Sequence, residues 1–110
     1  MIQQQIDQIR SKLENSSGLT PEAKADLLQL LADLKSQVEV LSETNEEGAH
    51  SVTTFAHASA HEATRSEKNP ELLESAIGGL TNSVVGMETS HPKLAEVVNR
   101  IAVALSNMGI

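Results

Sequence analysis

Cysteine is absent from this 110-residue chain, which excludes disulfides, thiolate metal sites and cysteine nucleophiles together. Aromatic side chains are nearly absent as well, Phe55 standing alone. A core of Leu, Ile, Val and Ala gains less buried area per residue than one with rings, so a partner subunit would help such a chain bury enough surface. Positive charge is scarce: 8 Lys and Arg face 15 Asp and Glu, for a net charge of −7, and no basic cluster interrupts the acidic background. Nucleic acid and anionic lipid both select dense positive charge, so neither is an expected partner. No apolar run approaches the ~20 residues that span a bilayer. Met1-Ile2-Gln3-Gln4-Gln5 lacks the charged-then-apolar order of a signal peptide, which makes the cytoplasm the expected location. Catalytic signatures are missing too. The serines have no Gly-x-Ser-x-Gly turn and no strand to present one, and Gly78-Gly79 lacks the Lys-Ser/Thr of a phosphate loop. An enzyme is not expected.

What is present is helical periodicity. Ile2, Ile6, Ile9 and Leu13 recur at four, three and four, which predicts a helix over about 2–15, with Gly18 offering a left-handed stop and Leu19 folding back onto Leu13. Thr20-Pro21-Glu22 places a cap, a proline and an acid in the order that starts a helix. From there Leu27, Leu31, Leu34, Val38 and Leu41 form a heptad-like seam over 21–43, fading in Thr44-Asn45-Glu46-Glu47-Gly48. A third helix over 49–67 carries small residues, Ala49, Val52, Ala56, Ala60 and Ala63. Each contributes little burial, so this segment is expected to be the least stable.

Asn69-Pro70-Glu71 repeats the start signal. Leu73, Ile77, Leu80, Val84, Met87, Leu94, Val98, Ile101, Leu105 and Met108 then keep one rhythm over 70–108, passing through Pro92 without losing phase. Either Pro92 kinks one long helix or it opens a fifth after a turn at Ser90-His91. Lys93 is unfavourable at a helix start, and His91 caps poorly, although Ser90 can cap; with the unbroken phase, the kink is the preferred reading by a narrow margin. Gly109 and Ile110 fit a left-handed helix stop. A second stripe of small residues, Ala76, Gly79, Ser83, Gly86 and Ser90, predicts close approach by another helix, such as the alanine stripe of 49–63; the alternative is local flexibility beside Pro92.

Three of the four histidines, His50, His57 and His61, share one face of the third helix. His57 and His61 stand at i and i+4, a spacing from which two imidazoles can ligate one Zn²⁺, Ni²⁺ or Cu²⁺, with His50 as a further candidate. The residues between them are not those of a His-Glu-x-x-His site, and other ligands would have to come from Glu46, Glu47, Glu62 or another subunit. A solvated polar face is the preferred reading, and a pH sensor with Glu46 near His50 the least favoured one. His91 falls on the apolar seam, where it either fixes register as a buried polar contact or, as preferred, reaches solvent or a nearby carbonyl.

Ser90-His91-Pro92-Lys93-Leu94, Asn99-Arg100-Ile101 and the ending Leu105-Ser106-Asn107-Met108-Gly109-Ile110 resemble the bacterial family catalogued as domain of unknown function 4404, and Leu19-Thr20-Pro21-Glu22 is similar to it more loosely. The resemblance implies a small bacterial helical protein. It also implies that shorter relatives lack much of 46–69, which would make the histidine face an addition of this lineage, and it assigns no activity to any residue.

The expected architecture is therefore all-α, a single domain over 1–110: an antiparallel helical bundle or coiled-coil-like hairpin of four to five helices, completed by dimerisation. Its interaction seam comprises Leu27, Leu31, Leu34, Leu73, Ile77, Leu80, Val84, Leu94, Val98, Ile101 and Leu105. The expected role is a homodimeric structural or protein-interaction module, an adaptor or assembly factor, without catalysis or cofactor. The alternative is a metal- or small-ligand-binding protein using His57 and His61. Further ligands brought to the histidines by the fold would favour the alternative; an exposed apolar patch would favour the module.

Overall fold

The computed structural model describes residues 2–108. Five helices follow one another: α1 (Ile2–Glu14), α2 (Pro21–Ser42), α3 (Glu46–Thr64), α4 (Pro70–Asn82) and α5 (Pro92–Met108). The starts are built as their sequences suggest. Thr20 Oγ1 accepts the Ala23 amide at 3.1 Å ahead of Pro21, and Asn69 Oδ1 accepts the Leu72 amide at 3.1 Å ahead of Pro70. The all-α bundle is as expected, and none of these helices is long and apolar enough to cross a membrane.

Three local readings are corrected. α3 begins at Glu46, inside the segment read as a loop, because Asn45 Oδ1 captures the Gly48 amide at 2.9 Å. It ends at Thr64, where Arg65 turns extended and Lys68 Nζ bonds the Ala63 carbonyl. Gly18 does not stop α1 with a left-handed turn. Among the described residues Gly86 alone has positive φ, and the α1 end is served by Lys24 Nζ on the Glu14 carbonyl at 2.9 Å. The ending read from Gly109 and Ile110 lies outside the described residues.

The preferred kink at Pro92 is also corrected: α4 and α5 are separate helices. After Asn82 the chain runs through i to i+3 turns, Val84 on Thr81, Val85 on Asn82 and Met87 on Val84, and Gly86 adopts φ +87°. Pro92 then opens α5, and the His91 carbonyl accepts the Ala95 amide at 3.1 Å. Val84 stays buried and Met87 packs against the core, so the hydrophobic rhythm persists through a segment that is not a helix. Periodicity reports which side chains face inward, and a tight turn can preserve that for a few residues. Nothing stands within 4 Å of a Cβ built on Gly86, so a Gly86→Ala variant meets conformational strain alone. It is expected to unfold with about 1 kcal/mol less stability in a urea titration; an unchanged midpoint would mean that this turn relaxes freely.

α3 is the inner helix. It packs against α1, α2, α4 and α5, which neighbour one another around it in the order α1, α2, α5, α4. Ala49, Val52, Ala56, Ala60 and Ala63 are all buried along it, and Ser51 and Thr54 are exposed. The segment expected to be least stable thus sits among the most neighbours. Small side chains bury little area each, but they allow four helices to approach one backbone, and the facing leucines supply the volume.

The seam is consumed inside one chain. Leu27, Leu31, Leu34, Leu73, Leu80, Val84, Leu94, Val98, Ile101 and Leu105 are all buried, and Ile77 is half-buried against them.

Candidate functional site

The histidine face of α3 looks towards α1. His57 shares an open groove of about 540 Å³ with Gln4, Asp7, Gln8, Ser11 and Lys12. His50 lines a second groove with Gln4, Gln5, Gln8 and Thr54. The α1 side chains reach this place because Ile6, Ile9 and Leu13 pin the opposite face of α1 into the core. Lys12 Nζ lies 3.4 Å from His61 Nδ1, so the ammonium donates to the unprotonated ring nitrogen. His61 Nε2 is 4.0 Å from Glu62, whose carboxylate is held by Arg65 at 2.8 Å; His50 Nε2 is 4.0 Å from Glu46.

Burial holds the His57 pKa below the usual imidazole value, and the charges of Lys12 and His61 push it the same way. The charged groups around it are Lys12 on α1 and His61 on its own helix, with Asp7 on the groove wall. A folded-state value below the unfolded one means that the unfolded chain binds more protons in the window just below about pH 6.5. Stability contributed by neutral His57 is therefore present above that window and declines as pH falls through it. Urea midpoints at pH 7.5 and 5.5 should fall further for the wild-type protein than for His57→Gln; equal losses would remove His57 as a source of acid sensitivity.

Around the candidate metal pair His57 and His61, α1 brings a cation and one carboxylate that already has partners. Lys12 puts a permanent positive charge against both rings. Asp7 is the carboxylate in the His57 groove, and its Oδ1 already accepts from Gln3 at 2.9 Å and Arg10 at 3.2 Å. Among the described residues no three His, Cys, Asp or Glu side chains are grouped to hold an ion. Lys12 was not legible as part of this face. Its sequence signal is only a polar position on α1, and 49 residues separate it from His61. His91 is half-buried at the start of α5, and its carbonyl, not its ring, does the capping work there.

A second candidate surface lies between α2 and α5. Gly18, Leu19, Thr20, Ala23, Asp26, Leu27, Leu30, Ala104, Asn107 and Met108 enclose a groove of about 320 Å³, mostly aliphatic. Beside it Val103 is 62% exposed, on a shallower groove with Glu96, Asn99, Arg100, Ala104 and Asn107. The side chains here offer van der Waals contact and a few hydrogen bonds, and the charged pair on this surface, Glu96 and Arg100, lies at 3.3 Å.

Compared with known proteins, residues 30–110 match the family model described as Domain of unknown function (DUF4404). No curated protein and no solved structure matches the chain. The match runs through α3 and its histidines and excludes Lys12.

Proposed function

This chain belongs to the DUF4404 family, and on that premise we propose that it is a non-catalytic structural or protein-interaction module, working as a homodimer in the cytoplasm. The observation that carries the reading is the aliphatic α2–α5 groove with Val103 exposed beside it. Isolated apolar side chains on a surface are ordinary, but a continuous apolar groove is what a protein partner covers. A second copy of the chain is the partner we propose, and the local charge of this face permits it. The chain as a whole carries −7, which opposes self-association, whereas α5 carries Lys93 and Arg100 against Glu96 alone. Two copies can meet along this face at little electrostatic cost.

Sedimentation equilibrium on the wild-type chain and on Val103→Asp tests the proposal. The wild type is expected as a dimer and the variant as a folded monomer with an unchanged far-UV circular dichroism spectrum, since Val103 is largely outside the core. A wild-type chain that stays monomeric at the highest concentration reached would overturn the homodimer, and a dimer untouched by Val103→Asp would move the interface elsewhere.

A further inference from the structure

We propose that the groove between α1 and α3 binds a small multivalent oxyanion of the inorganic phosphate type, held by Lys12, His57 and Ser11. The walls of the groove are Gln4, Asp7, Gln8, Ser11, Lys12 and His57. Five of these six side chains can donate a hydrogen bond: two amides, a hydroxyl, an ammonium and an imidazole. The sixth, Asp7, is the one pure acceptor, and Gln3 and Arg10 already share its Oδ1. The anion would therefore meet donors, with the one repelling carboxylate answered by its own partners.

Lys12 strengthens the case, because among the described residues its ammonium has no carboxylate within ion-pair distance. Its side-chain partner is the His61 ring, with Nδ1 at 3.4 Å. In an acidic chain a lysine is readily matched with Asp or Glu, yet here the ammonium is set beside two imidazoles that can themselves become cationic. Burial, Lys12 and His61 all hold His57 towards its neutral form. An oxyanion in the groove would oppose the two electrostatic contributions, so its binding and protonation of His57 favour each other. Charge-assisted hydrogen bonds from an ammonium are stronger than neutral ones, which makes Lys12 the residue on which affinity should depend most. The site spans two helices that the family match divides, α1 outside it and α3 within it. The proposal is independent of the α2–α5 interface.

The test is an NMR titration of the full chain with inorganic phosphate at constant ionic strength and constant pH, reading the ring Cε1–H signals of the four histidines. The expected result is a saturating shift at His57 and His61 with His91, at the far loop, unmoved. Lys12→Gln should weaken binding roughly tenfold or more, the loss of one hydrogen bond to a charged group. Lys93→Gln, which removes the same charge elsewhere, should leave binding unchanged. His57→Gln removes the imidazole and keeps an amide donor, and it should weaken binding while leaving the saturating shift at His61. A linear drift shared by all four histidines, or saturation with undiminished affinity in Lys12→Gln, would overturn the site.

Discussion

Leu34→Ala is expected to lower the unfolding free energy by about 4 kcal/mol, near the upper end for a buried leucine, with a fall in Tm on the order of 15 °C for a chain of this size. Leu34 is fully buried in the middle of α2. It lines a small internal void of about 10 Å³ with Ile9, Leu13, Leu27, Leu31, Ala56, Ala60, Ile101 and Leu105. The void exists because α3 presents alanines at this level, where the surrounding helices present longer side chains. It is lined by apolar groups and is too small to hold water comfortably. Removing the leucine side chain would enlarge a gap already there, and residues from α1, α2, α3 and α5 would lose contacts at once. Leu→Ala costs grow with the cavity that remains, so a site touching four helices, none of which can move inward alone, should show little relief. Thermal and urea unfolding followed by circular dichroism measure the loss. A change under about 2 kcal/mol would mean that the bundle collapses around the gap and that its core is less rigid than the packing indicates.

The second large effect lies at the contact between α3 and α4. A Cβ built on Gly79 would fall within the Phe55 ring, whereas the neighbouring Gly78 has nothing within 4 Å. Gly79→Leu should therefore destabilise by about 2 kcal/mol, the usual range for inserting atoms into a packed contact. Gly78→Ala should stabilise by up to about 1 kcal/mol, the helix-propensity difference between the two residues. Phe55 is 39% exposed, so its ring can tilt towards solvent and the cost at Gly79 stays finite. Combining Gly79→Leu with Phe55→Ala removes the clash. The double-mutant cycle should show a favourable coupling of about 1 kcal/mol or more, and a coupling near zero would mean that the glycine is there for another reason.

The pair also shows how far a sequence pattern reaches. Small residues at Ala76, Gly79 and Ser83 predict a closely approaching helix, and α3 does pack against α4. The element that fills the space over Gly79 is the aromatic ring of Phe55, not the alanine stripe. Gly86, in the same stripe, serves a different purpose: it takes φ +87° in the turn between α4 and α5 and faces open space. Spacing alone could not distinguish the two glycines, because a missing side chain has the same appearance whether it makes room for a neighbour or frees a backbone dihedral.

The histidine face was legible as a face and not as a site. Placing His50, His57 and His61 together needs only the pitch of one helix. What they do depends on the helix opposite, which sets the Lys12 ammonium 3.4 Å from His61 Nδ1 and its charge near His57.

By itself the sequence determined the helical class, the starts of α2 and α4, and nearly all the core. Those features rest on short-range physics: a side-chain oxygen reaching an amide three residues on, a proline suited to a first turn, and apolar residues repeating with the helical pitch. The tertiary structure alone decided that α3 lies innermost, that the chain breaks between Asn82 and Pro92, that the leucine seam closes on itself, and that Lys12 meets His61. Each of these depends on which helices dock together. Docking is set by the fit of whole faces distant in sequence, where many pairings bury similar apolar area and only the packed geometry separates them.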